Sequence, residues 1–131
     1  TAYPARGAAG LVLDVDTGEI VSMVSLPMFN PNRVGMAGTE ELRNNTVQSV
    51  YELGSTFKVI TAAIALETGV ATLDRRFDAT APLQVGRFRI KDDHAQNRWM
   101  NIPETLVHSS NIATARMADE IGPGRMQAMF R

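Results

Sequence analysis

The feature that most constrains the fold is the segment 51–58 (Tyr-Glu-Leu-Gly-Ser-Thr-Phe-Lys), which runs into the apolar stretch 59–66. Gly54 is followed by Ser55 and, three residues later, by Lys58. Positions three apart share one face of a helix, so both side chains are expected to point the same way from its first turn. Because the stretch beyond is apolar on nearly all sides, the pattern predicts a central, buried helix ending near Gly69.

This spacing suits a nucleophile and its base. A serine hydroxyl is a poor nucleophile unless a neighbouring base takes its proton, and a lysine in apolar surroundings prefers the neutral form. An N-cap serine followed by a surface lysine has the same pattern, and for an isolated Ser-x-x-Lys that is the commoner meaning. With six serines and two lysines in 131 residues, chance alone gives about 0.1 matches. Spacing therefore leaves both interpretations open.

Composition excludes several classes of function. A length of 131 residues with 44% hydrophobic and 21% charged residues is typical of one small globular domain. The net charge of -1 gives no argument for binding nucleic acid or an anionic membrane surface. The absence of cysteine excludes disulfides and thiolate chemistry. No apolar run is long enough to cross a bilayer, no signal peptide pattern is present, and both ends are expected to be cut from a larger protein.

The first half of the chain predicts strands and loops. Two runs rich in aliphatic and β-branched residues, 8–14 and 20–26, flank turn chemistry at Asp16 and Gly18 and predict a β-hairpin. A hairpin alone is marginal, so it needs a wider sheet or a covering helix. The remaining predictions are a loop over 27–38, a polar segment with a short helix over 40–50, and short extended pieces at 77 and 83–90.

The segment 91–94 (Lys-Asp-Asp-His) predicts an exposed polar turn. Two carboxylates and an imidazole also make a metal site conceivable there. Adjacent residues rarely converge on one ion, however, and no second group of ligands is evident in the sequence, so the solvated turn is the favoured interpretation.

The last third of the chain predicts helices around a second polar motif. A helix begins at Asn101 with Pro103 near its first position, and Ser and Asn residues predict a break near Ser109. A second helix is predicted over 111–121, stopped by Gly-Pro-Gly, with another from residue 125. Ser109-x-Asn111, the only Ser-x-Asn in the chain, could place both side chains in a cleft. A hydroxyl and a carboxamide suit proton relay and the holding of a peptide amide, although capping is the ordinary meaning of such a pair.

Together, the two motifs and their flanks resemble the class B penicillin-binding proteins. Ser-x-x-Lys with a Ser-x-Asn element belongs to the signature of penicillin-binding proteins and class A β-lactamases. Residues 51–58 resemble Tyr-Glu-Pro-Gly-Ser-Thr-Phe-Lys of that class, 14–25 resemble its first hairpin, 27–32 the following loop, and 109–115 its second motif and helix. Tyr-Glu-Leu-Gly-Ser and His-Ser-Ser-Asn-Ile are most similar to the septal, cell-division transpeptidase, with the elongation-specific relative second.

The resemblance implies an α+β fold, the α/β sandwich of the penicillin-binding and serine β-lactamase type, with residues 1–131 as the N-terminal part of a transpeptidase domain. It implies acyl transfer on peptidoglycan stem peptides, with Ser55 as nucleophile, Lys58 as base and Ser109 as proton relay. Asn111 would hold a substrate amide and help to orient Lys58. Which residue serves as base in this superfamily is disputed.

The implied partners are stem peptides, β-lactam antibiotics and proteins of the division complex, with no nucleic acid, metal or cofactor. The implied location is the periplasmic face of the inner membrane, through a single-pass anchor on the parent protein. A β-lactam sensor or a serine β-lactamase of the same superfamily is the first alternative. A non-enzymatic module with coincidental motifs is the second.

The chain also departs from the class. Leu53 replaces the usual proline, and Asn-Asn-Thr at 44–46 stands where Asn-Arg-Ala is frequent. No Lys-Thr-Gly or Lys-Ser-Gly occurs, because Lys58 and Lys91 are the only lysines. In the family this third motif lies downstream and lines the cleft opposite the second motif. We therefore expect a soluble fragment without useful transpeptidase activity, which dimerises through the exposed edge of its hairpin.

Overall fold

The computed structural model describes residues 4–130, and the chain folds as two compact units. The first unit ends at Glu52 and the second begins at Leu53. Within the described residues, no helix combines the length and the apolar character that a bilayer span requires.

The first unit is built on the predicted hairpin. Strands β1 (Ala8–Leu13) and β2 (Ile20–Leu26) pair antiparallel, with an irregularity between Val12 and Leu13. In the turn, the Asp14 carboxylate accepts hydrogen bonds from the backbone amides of Asp16 and Thr17. Such Asx turns reverse a chain locally, and the hairpin prediction is confirmed.

The segment after the hairpin is more helical than its sequence predicts. Two short 3-10 turns, separated by a kink at Arg33, occupy Pro31–Met36 and interrupt the predicted loop. The first turn forms because the Asn30 side chain caps it and its first residue is proline. Two short helices follow, α1 (Thr39–Leu42) and α2 (Asn45–Gln48). Asn45 ties α2 to the hairpin, since its side-chain amide donates to the Leu26 carbonyl at 2.8 Å.

The second unit opens with the predicted serine–lysine helix. A 3-10 turn (Gly54–Thr56) leads into α3 (Phe57–Glu67), and Gly69 follows with a left-handed φ of +68°. The predicted end is therefore confirmed, but the prediction of burial on nearly all sides is wrong. Thr61, Ala62, Ile64 and Ala65 are buried, whereas Val59 is 57% exposed and Leu66 is 39% exposed. The buried positions are three and four apart and therefore form one face of α3, and this helix contacts α4, α5 and α6.

Short strands and three further helices complete the second unit. Strand β3 (Phe77–Ala79) pairs with β6 (Arg98–Met100), and β4 (Leu83–Val85) pairs with β5 (Phe88–Ile90); α4 (Ile102–Val107), α5 (Asn111–Ile121) and α6 (Pro123–Ala128) follow. The extended pieces at 77 and 83–90 and the bounds of α5 are confirmed, but no prediction covered β6. Pro123 was expected to stop a helix before a new one at 125. It is instead the first residue of α6, where its missing N–H costs nothing.

One apolar core holds α3 and α5 against β3 and β6. Its members come from both helices, both strands and the connections between them: Ala62, Ile64, Ala65, Ala71, Phe77, Ala79, Met100, Ile102, Ile112, Ala113, Met117 and Ile121. Phe77 is 2% exposed and is among the largest buried side chains. This core fixes the two helices that carry the candidate site.

Replacing Phe77 with alanine should lower the free energy of unfolding by about 3–5 kcal/mol, because the deletion leaves a cavity in this core. Phe88→Ala is the matched control, since Phe88 is 65% exposed. Both rings carry an arginine guanidinium at similar distance, 5.7 Å for Phe77 and 5.2 Å for Phe88. The control should change stability by no more than about 0.5 kcal/mol. Equal losses in denaturant titrations would contradict this core assignment.

Candidate active site

The start of α3 places a serine and a lysine on one face. Gly54 has a φ of +55°, a left-handed conformation that glycine adopts without steric cost. The chain then enters the 3-10 turn that contains Ser55, and Lys58 follows as the second residue of α3. The local sequence thus explains why both side chains leave the helix start in the same direction.

Three side chains form a closed hydrogen-bonded group at this point. The Lys58 Nζ lies 3.2 Å from the Ser55 Oγ and 2.7 Å from the Ser109 Oγ. It also lies 2.6 Å from the Ser109 carbonyl oxygen, and the Ser109 hydroxyl donates to the Ser55 Oγ at 3.0 Å. The three residues predicted as catalytic from the sequence are therefore in direct contact, although Ser109 is 54 positions beyond Ser55.

Burial lowers the pKa of the Lys58 amine below its ordinary value of 10.5, and the negative charges of Asp92 and Asp93 partly oppose this shift. A neutral amine keeps two N–H donors and one lone pair. In the structure Nζ donates to the Ser55 Oγ and to both Ser109 oxygens. Once neutral, the amine can keep its two donors on Ser109 and turn its lone pair to the hydroxyl of Ser55. This arrangement can take a proton from Ser55 and pass it to Ser109.

Ser109 occupies an unusual backbone conformation between two helices. Its φ is +52°, in the left-handed region, which costs a non-glycine residue about 1–3 kcal/mol. His108 ends α4 and Ser110 caps α5, so the break predicted near Ser109 is confirmed. The conformation brings both the carbonyl and the hydroxyl of Ser109 onto the lysine. Strain of this kind is concentrated at functional sites.

The fourth predicted residue, Asn111, lies at the same site but has a different partner. Its side-chain amide donates to the Lys91 carbonyl at 2.9 Å. The reason is that the loop after β5 passes beside the first residue of α5. Asn111 and Lys58 both line a largely apolar cavity of about 300 Å³, together with Phe57 and Ile90.

Asp92 is a site residue that the sequence interpretation missed. The segment 91–94 was predicted as a solvated turn, and Asp93 and His94 do form an exposed turn. Asp92 is half-buried, however, and its carboxylate accepts from the Ser110 hydroxyl at 2.8 Å and the Ile112 amide at 3.0 Å. These partners lie 18 and 20 positions away, so no local pattern could identify them. Within residues 4–130, no three or more potential metal ligands converge.

Comparisons with known proteins place this chain in one family. Residues 8–131 match the family model of the penicillin binding protein transpeptidase domain. The chain is 44% identical over 128 residues to a Caulobacter vibrioides protein named Probable peptidoglycan D,D-transpeptidase FtsI, covering 98% of this chain and 22% of that protein. It is 32% identical over 114 residues to Peptidoglycan D,D-transpeptidase FtsI of Escherichia coli, covering 87% of this chain and 19% of that protein.

A solved relative has the same fold. Penicillin-binding protein A from M. tuberculosis, determined as a penicillin G acyl-enzyme complex, superposes with a TM-score of 0.82 at 27% identity, over 98% of this chain and 34% of that one. This match confirms the predicted α+β class. The chain spans about a fifth of the length of the curated relatives just named. Because residues 8–131 match the family model, the chain belongs to the penicillin-binding protein transpeptidase domain family.

Proposed function

We propose that this chain is the N-terminal part of the transpeptidase domain of a peptidoglycan D,D-transpeptidase, and that its parent cross-links stem peptides during septal cell-wall synthesis. The observation that carries the proposal is the hydrogen-bonded group formed by Ser55, Lys58 and Ser109. The FtsI names of two relatives support the septal role over elongation. The acyl-enzyme form of a third relative supports covalent catalysis and reaction with β-lactams.

In the first step, the Ser55 hydroxyl attacks the carbonyl carbon of a D-Ala-D-Ala terminus and its proton passes to Lys58, 3.2 Å away. The helix start beside Ser55 supplies backbone N–H groups and a positive dipole for the developing oxyanion. The peptide C–N bond then breaks. The proton returns from Lys58 through the Ser109 hydroxyl, 2.7 Å away, to the nitrogen of the departing D-Ala.

In the second step, the amine of another stem peptide attacks the acyl-enzyme. A new amide bond forms, the Ser55 oxygen departs from the acyl carbon, and the proton lost by the amine returns to Ser55 through the same group. Asn111 holds a substrate amide, a role supported by its place on the cavity that Lys58 also lines. A β-lactam enters the first step in the same way, but its leaving nitrogen stays tethered and the serine remains acylated.

The wider setting belongs to the same proposal. The parent acts at the periplasmic face of the inner membrane, held by a single-pass anchor, with proteins of the division complex as partners. This setting rests on the likeness to proteins named FtsI.

The proposal is tested by supplying the full-length protein with a stem pentapeptide and measuring both released D-Ala and cross-linked product. Release of D-Ala with product formation is expected, and a protein that does neither and takes no β-lactam adduct would refute the proposal. The lifetime of the penicillin adduct distinguishes the alternatives. A long lifetime fits a penicillin-binding protein, and rapid hydrolysis would identify a β-lactamase instead.

The isolated 131-residue chain should be inactive and should self-associate. It contains no Lys-Thr-Gly, and loss of even one oxyanion donor can cost about 10²–10³ in rate. Intact-mass spectrometry should therefore find no stoichiometric penicillin adduct. The hairpin exposes apolar side chains such as Leu11 and Val21, 51% and 68% exposed, next to strand edges that invite pairing. A compact monomer by light scattering, or a full adduct, would contradict this expectation.

A further inference from the structure

The start of α5 is fastened to the loop that follows β5. The Ser110 hydroxyl and the Ile112 amide both donate to the Asp92 carboxylate, at 2.8 and 3.0 Å. The Asn111 side chain, between them, donates to the Lys91 carbonyl at 2.9 Å. Residues 110–112 therefore all form hydrogen bonds to residues 91 and 92 of that loop.

Asp92 satisfies groups that have no access to water. Ser110 is 1% exposed, and its oxygen already accepts from the Ala113 amide at 3.0 Å, so its hydroxyl proton depends on Asp92. A buried donor left without a partner is strongly unfavourable. A carboxylate at the N-terminus of this 11-residue helix is also favoured by the helix dipole.

Ser109, whose backbone is strained, directly precedes Ser110, the residue that Asp92 holds. A non-glycine residue remains at a φ of +52° only where its surroundings over-determine it. On its N-terminal side, the His108 amide is fixed to the Glu104 carbonyl. On its C-terminal side, the anchor is Ser110, held by Asp92. Asp92 therefore acts on the Ser109 oxygens that bond to Lys58 without forming a hydrogen bond to either of those two residues itself.

We propose that Asp92 is a positioning residue for serine acylation, which clamps the start of α5 so that Ser109 stays bonded to Lys58. This inference rests on the proposed acyl-transfer function and adds a residue to it. Two effects of Asp92 can be separated, because its carboxylate both makes the clamp and supplies a negative charge. Asp93 also acts on Lys58 through its charge but makes no hydrogen bond to 110–112 within the described residues.

Asp93→Asn is therefore the matched control for charge. The experiment measures the rate constant of acylation by a fluorescent penicillin across pH, in the full-length protein, for wild type, Asp92→Ala, Asp92→Asn and Asp93→Asn. Saturation kinetics separate the acylation step from initial binding. Ser55 labelling of the wild type establishes the proposed function independently of the variants.

Asp92→Ala should lower the maximal rate of acylation by about 10²-fold, since a displacement of about 1 Å at a catalytic group has this cost. Its acid limb should also move to lower pH, because this variant loses a negative charge that raises the pKa of Lys58. Its initial binding of penicillin should change far less. Asp93→Asn should keep the maximal rate and move the acid limb of the profile to lower pH, because losing a negative charge lowers the pKa of Lys58 further. Asp92→Asn loses the negative charge, so the acid limb of its pH profile should move to lower pH as in Asp93→Asn. It keeps an oxygen acceptor for the Ile112 amide, so its loss of maximal rate should be intermediate.

Three results would overturn the proposal. One is an Asp92→Ala protein that acylates like wild type. Another is an Asp93→Asn protein that loses as much rate as Asp92→Ala, since the effect would then be one of charge. If Asp92→Ala fails to fold, an Asp92→Asn maximal rate equal to that of Asp93→Asn decides against the clamp. A wild-type protein that takes no label would refute the proposed function itself, which is a separate outcome.

Discussion

Replacing Ser55 with alanine should abolish covalent labelling by β-lactams in the full-length protein. The Ser55 Oγ is the attacking atom in the proposed mechanism, and both Lys58 and Ser109 form hydrogen bonds to it. Removing a catalytic serine typically costs about 10⁴-fold or more in rate. The variant should remain folded, because Ser55 is exposed. Labelling with a fluorescent penicillin, followed by gel quantification, measures the loss.

Ser22→Ala is the control for this variant, since Ser22 is an exposed serine on β2. It should label at the wild-type rate. If Ser55→Ala is labelled as fully as wild type, Ser55 is not the nucleophile. The Ser-x-x-Lys segment would then be explained as a capping serine followed by a surface lysine.

Replacing Lys58 with arginine should slow acylation by about 10²–10⁴-fold, the usual contribution of a positioned general base. Arginine keeps the positive charge and can donate to Ser109, but it cannot lose its proton near neutral pH. If Lys58 had only a structural or electrostatic role, the arginine variant would keep the wild-type rate of acylation. If Lys58 is the base, the arginine variant should be slow. The pH profile gives a second measurement, because the acid limb assigned to Lys58 should disappear.

Lys91→Ala is the matched control, because Lys91 is the chain's only other lysine. The hydrogen bond from Asn111 goes to the backbone carbonyl of Lys91, which this substitution keeps. This variant should acylate normally. A Lys58→Arg protein that acylates at close to the wild-type rate would contradict the assignment of Lys58 as the base.

Local sequence signals explain the parts of the fold that could be predicted. The turn before Ser55, the left-handed Gly69 and the capped start at Asn101 depend on neighbours a few positions away. Asn101 and Glu104 form a capping box, a pattern visible in the sequence itself. The bounds of α5 follow for the same reason, since Ser110 caps one end and Gly122 ends the other.

Long-range contacts explain what could not be predicted. The exposure of Val59 depends on which elements cover α3, and apolar character alone does not reveal that. Strand β6 exists because Phe77 pairs with Met100 across an intervening hairpin. Asp92 belongs to the site through partners at Ser110 and Ile112, about twenty positions along the chain.

The candidate site lies between these two cases. Spacing predicted only that Ser55 and Lys58 share one face of a helix; their roles and the participation of Ser109 were implied by the resemblance to a family. The resemblance implied that Asn111 holds a substrate amide and helps to orient Lys58; in the structure Asn111 lines the same cavity as Lys58, and its amide donates to the Lys91 carbonyl.

We expect Ser55 to be the residue acylated in the parent protein. The most direct measurement is tryptic peptide mapping by mass spectrometry after reaction of the full-length protein with benzylpenicillin. Trypsin cuts after Arg43 and Lys58 and again after Arg98 and Arg116, so Ser55 and Ser109 fall on different peptides. The expected result is a stoichiometric adduct on the peptide 44–58, assigned to Ser55 by fragmentation. An adduct on Ser109 or Ser49, or an unmodified protein, would contradict it.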